Sequence, residues 1–147
     1  MKTSVEQMER LAVCEKKELF FPEGLIGFAQ HKYFSISCEK SKEPFLWIQS
    51  LSDTELSFIA IDPREFRRDY FPVLSENDKK LLQVKESSEC QFLAIVYVPR
   101  DSENISANLL APVAINMKTN IAKQVVLQDQ DYQVQHFILE EMLKKAG

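Results

Sequence analysis

The sequence predicts a mainly β fold, a barrel or a sandwich carrying one to three short helices. Three observations predict it. Phe is frequent, at 10 residues, and Gly is scarce, at 3; aromatic and β-branched side chains suit a pleated, half-buried surface. Strand-like runs recur along the chain with polar turns between them. The length of 147 residues with 45% apolar content fits one domain with its own core. A chain of this size buries roughly 70% of its unfolded surface, so it needs no disulfide or metal staple.

The first 18 residues are polar and weakly patterned, an edge strand or a frayed lead-in. Strands are expected at Leu19–Phe21, Tyr33–Ser37, Phe45–Gln49, Leu56–Ile61, Gln91–Val98, Ser106–Ile115, Lys123–Leu127 and Tyr132–Gln135. Pro22-Glu23-Gly24, Ser52-Asp53, Asp101-Ser102-Glu103-Asn104 and Asp129-Gln130-Asp131 supply turns. In the first of these, Leu25, Ile26 and Phe28 are expected to plug one end of the core. A short helix is marked by Asp62 as cap, Pro63 at the first position and Glu65 where a capping box places its carboxylate. Ile61 and Phe66 have the spacing of a hydrophobic staple, and Pro72 is expected to end that helix. A second helix starts at the cap Ser75 and carries Leu81 and Leu82 coreward. The tail, residues 136–147, forms a third: Ile138 with Met142, and Leu139 with Leu143, are helical neighbours.

Composition excludes several functions. The net charge of −4 repels nucleic acid at long range, so direct nucleic-acid binding is not expected. Lys16, Lys17, Arg64, Arg67 and Arg68 have acidic neighbours and read as solvated surface. No run approaches the ~18 apolar residues of a membrane helix, and no signal peptide is visible. Cys14, Cys38 and Cys90 are odd in number and lack a Cys-x-x-Cys pair, which fits reduced thiols in a cytoplasm. His31 reads as a surface residue before a strand and His136 as the start of the tail helix. Neither stands in a ligand-spaced motif, so no metal site is expected. Gly24-Leu25-Ile26-Gly27 lacks the marks of a phosphate or dinucleotide loop. No catalytic residue and no cofactor is expected; the residues read as a binding protein by elimination.

Six blocks in order carry a resemblance: FPEGLIGF at 21–28, PFLWIQS at 44–50, SFIAIDP at 57–63, DYFPVL at 69–74, ISANLLAPVAIN at 105–116 and KQVVL at 123–127. Their order and spacing resemble the FliW family of flagellar assembly factors, over about residues 19–127. The resemblance departs at the ends, where the lead-in LAVCEKKELFF is irregular and the tail is variable. It implies one domain over residues 1–147 with an antiparallel, barrel-like (pseudobarrel) fold. It also implies a cytoplasmic protein that binds the C-terminal helical segment of flagellin and antagonises the RNA-binding translational regulator CsrA allosterically. Flagellin synthesis is thereby coupled to assembly. A flagellin export chaperone without a translational role is the alternative, and a small ligand-binding barrel or enzyme using Cys38, Cys90 or a histidine is a third reading.

Helix-in-groove recognition needs an apolar groove with a polar rim. Strict alternation fails from Leu109 to Ile115. Such a run is either a strand buried on both faces or one with an exposed apolar face. Pro112 cannot donate to a ladder and suggests an edge or bulge. Asn108, Leu110, Pro112, Val113 and Ile115 are therefore candidate partner contacts. Asn116 reads as a turn residue. Trp47 is either core or a binding hot spot.

Overall fold

The computed structural model describes residues 16–100, 104–128 and 130–146. Cys14, residues 101–103 of the expected turn Asp101-Ser102-Glu103-Asn104, and Asp129 of the turn Asp129-Gln130-Asp131 lie outside them. The described residues form an antiparallel sheet of nine strands. These are β1 (Lys17–Phe20), β2 (Tyr33–Cys38), β3 (Phe45–Ser50), β4 (Ser57–Ile61), β5 (Cys90–Tyr97), β6 (Ser106–Ala107), β7 (Val113–Asn116), β8 (Ala122–Gln124) and β9 (His136–Phe137). Two α-helices accompany them, α1 (Glu76–Leu82) and α2 (Leu139–Ala146).

β1 to β5 form a meander, and the eight residues of β5 are shared between partners. The first half of β5 pairs with β7, which pairs with β8. Its second half pairs with β4 and β6, and β6 with β9. The edges of β1 and β8 meet in one parallel bridge between Phe20 and Ile121, where Phe20 N donates to Asn120 O at 3.0 Å. One bridge instead of a ladder makes this a pseudobarrel and not a closed barrel.

Paired residues share a sheet face, so the registers sort the apolar side chains into two cores. Leu19, Phe34, Ile36, Leu46, Ile48, Ala60, Leu93, Val113, Ile115 and Ala122 fill the barrel, with Phe21 and Leu25. The phenylalanines explain their own abundance there: Phe21 meets Phe34 edge-on at 5.2 Å, and Phe28 meets Phe58 at 5.3 Å. An outer core lies against the other face, built from Ile61, Ala94, Val96, Ala107, Leu109, Ala114, Leu82 and Ile138.

Most expected elements form, and the departures have local causes. The expected strand Ser106–Ile115 is two strands, because Asn108 and Pro112 take the chain out of the ladder between them. No strand forms at Tyr132–Gln135; the chain pairs only at His136–Phe137, which puts His136 in β9 instead of α2. The helix after Asp62 is a single 3-10 turn, Pro63–Glu65, in which Asp62 accepts from Arg64 N. Ile61 and Phe66 both pack in the outer core, as a staple would. Ser75 Oγ caps α1 by accepting from Asp78 N at 3.1 Å, and Leu82 is buried. Gly24 has φ +68°, and a Cβ there would stand 2.6 Å from Phe28 O, so only glycine fits. In the same turn Leu25 is buried but Ile26 is exposed, so Ile26 is no part of the plug. His31 is half-buried, with Nδ1 2.9 Å from Ser50 Oγ.

Candidate docking surfaces

The segment Asn108–Pro112 is a loop pinned on every side. Asn108 Oδ1 accepts from Ala111 N at 3.0 Å, closing a turn. Leu109 N and Leu110 N both donate to Gln133 O. Tyr70 Oη donates to Leu109 O at 2.7 Å in a buried contact, and burial pushes the phenol pKa well above its ordinary value. Gln124 Nε2 donates to Ala111 O, while Leu127 N and Val125 N donate to Leu110 O and Pro112 O. The free edge expected at Pro112 is therefore occupied.

Val113 and Ile115 are wholly buried in the barrel, and Ala114 between them is wholly buried in the outer core. The continuous apolar run is thus a wall with a core on each face. This corrects the expectation of an exposed apolar face at Pro112, Val113 and Ile115, all three of which are buried. Leu110 is partly buried against the outer core, and Asn108 is partly exposed. Asn116 serves as a turn residue: its Oδ1 accepts from Lys118 N, and its Nδ2 donates to Leu82 O at 2.8 Å, tying β7 to α1.

Trp47 belongs to a different region. Ser37, Trp47, Ile59, Val96 and Ala107 are successive partners across β2 to β6, one row on the outer face. The outer core covers Val96 and Ala107, while Trp47 stays partly exposed with Lys42 Nζ 5.4 Å from its ring centre. By the same alternation Phe20 and Tyr33, partners in β1 and β2, face outward; their rings stack at 5.0 Å. Phe20, Tyr33 and Trp47 therefore put three aromatic side chains on the outer face of β1–β3, with Glu18 and Gln49 between. An open depression of about 410 Å³ lined by Glu18, Gln30, Lys32, Tyr33, Leu51 and Ser52 adjoins it. Phe20 and Tyr33 went unnoticed in the sequence, although strand alternation places both opposite the buried Leu19 and Phe34.

The reactive residue types are engaged in the fold. Cys90 is a buried free thiol whose pKa burial pushes up to about 11, which keeps it protonated and inert at neutral pH. Cys38 is disulfide-bonded, against the expectation of three reduced thiols. His136 Nε2 lies 3.0 Å from Glu141 Oε1, with its ring stacked on Phe66 at 5.7 Å. Lys123 bridges Asp78 and Glu23 at 2.5 and 3.6 Å, fastening α1 and the Gly24 turn to β8. Among the described residues, no helix is long and apolar enough to cross a membrane.

Comparison with known proteins places this architecture. The profile of the FliW protein family matches residues 2–138. A flagellar assembly factor FliW of Ruminiclostridium cellulolyticum is 40% identical over 126 residues, 85% of each chain. The protein of that name from Leptospira interrogans serogroup Icterohaemorrhagiae serovar Lai is 34% identical, covering 94% of this chain and 93% of its own. The crystal structure of the flagellar assembly factor FliW superposes with a TM-score of 0.75 at 28% identity, covering 82% of this chain and 84% of that one. With a family profile matched almost end to end and the same fold beneath it, the chain belongs to the FliW family.

Proposed function

We propose that this protein is a cytoplasmic, non-enzymatic flagellar assembly factor that works by binding other polypeptides. In this reading it binds flagellin through the flagellin C-terminal helical segment. It also binds CsrA and antagonises it allosterically, so that flagellin occupancy releases CsrA onto its message. The observation that carries the reading is the family match over residues 2–138, together with relatives named as flagellar assembly factors. The docking surface we assign is the outer face of β1–β3 around Trp47, Tyr33 and Phe20, with Asn108 and Leu110 as further partly accessible contacts. Aromatic side chains held on a rigid sheet give contact area at small entropic cost.

The test is capture of purified CsrA by this protein, repeated with flagellin added in increasing amounts. CsrA is expected to be retained alone and displaced by flagellin. Retention of CsrA at saturating flagellin contradicts the switch, and capture of flagellin but never of CsrA establishes the export-chaperone alternative. Trp47→Ala, checked by circular dichroism, is expected to weaken capture of at least one partner about tenfold; unchanged capture of both removes Trp47 from the site.

A further inference from the structure

We draw no further inference here: the strongest candidate, the open depression lined by Glu18, Gln30, Lys32, Tyr33, Leu51 and Ser52 beside the outer face of β1–β3, carries nothing, because its single carboxylate and single ammonium offset one another and select no ligand charge, and nothing in the structure shows what covers it.

Discussion

Several single residues hold the fold by imitating backbone. Glu89 Oε2 accepts from both Lys85 N and Glu86 N at 2.7 Å, closing a capping box around the 3-10 turn Ser87–Glu89 that leads into β5. Those two backbone hydrogen bonds hold the Glu89 carboxyl below its ordinary value of 4.5. A folded-state pKa below the unfolded one means that the ionised form is favoured in the native protein. The stabilisation is therefore present above the unfolded pKa and is lost as pH falls through the folded one. Glu89→Ala is expected to lower the melting temperature at pH 7 by more than at an acidic pH below the folded-state pKa, where the carboxylate is protonated. Melting curves at the two pH values check it, and equal shifts would show that ionisation of Glu89 contributes nothing. Tyr70 and Asn116 act in the same manner at buried carbonyls, those of Leu109 and Leu82.

At the scale of the element, α2 shows what its sequence determines and what it leaves to packing. The two four-apart pairs in the tail predicted an amphipathic helix, and the helix forms at Leu139–Ala146. Only one pair faces the body: Ile138 is wholly buried and Met142 packs on the outer core, while Leu143 is exposed. Ile138→Ala is expected to cost about 2–4 kcal/mol, and Leu143→Ala less than about 0.5 kcal/mol. Urea midpoints at unchanged m-value measure both; equal losses would place Leu143 in the core. The helix was legible because its period and its charged flanks are local. Which pair turns inward was not, since His136 pairs with Ala107 and Ile138 N donates to Ile105 O, partners about thirty residues away. The same division explains the candidate site. Asn116 was readable as a turn residue from chemistry at short range. The burial of Val113 and Ile115 depended on barrel residues of β1 to β3, among them Leu19, Phe34, Ile36 and Ile48, which no window around residue 113 contains. The loop Asn108–Pro112 was hidden likewise, because Tyr70, Gln124 and Gln133 hold it from distant positions.

For the whole molecule, the consequence of one sheet bearing two cores is mechanical coupling. β5 and β7 contribute alternate residues to each: Leu93 and Val113 to the barrel, Ala94 and Ala114 to the outer core. Neither core can lose its packing while the other keeps a complete wall, so the two are expected to unfold as one unit. Ile36 and Leu109 are both wholly buried, the first in the barrel and the second in the outer core. Ile36→Ala and Leu109→Ala are each expected to lower stability by about 2–5 kcal/mol. Trp47, the sole tryptophan, sits on the outer face of β3 and reports local packing by fluorescence, while far-ultraviolet circular dichroism reports the whole sheet. In urea the two signals are expected to move together in both variants. Because Ile36 and Leu109 lie in separate clusters without shared neighbours, the double variant is expected to lose roughly the sum of the two. Separated transitions in either variant would mean that the barrel stands without its outer layer, and that the shared wall of β5 and β7 transmits no cooperativity between them.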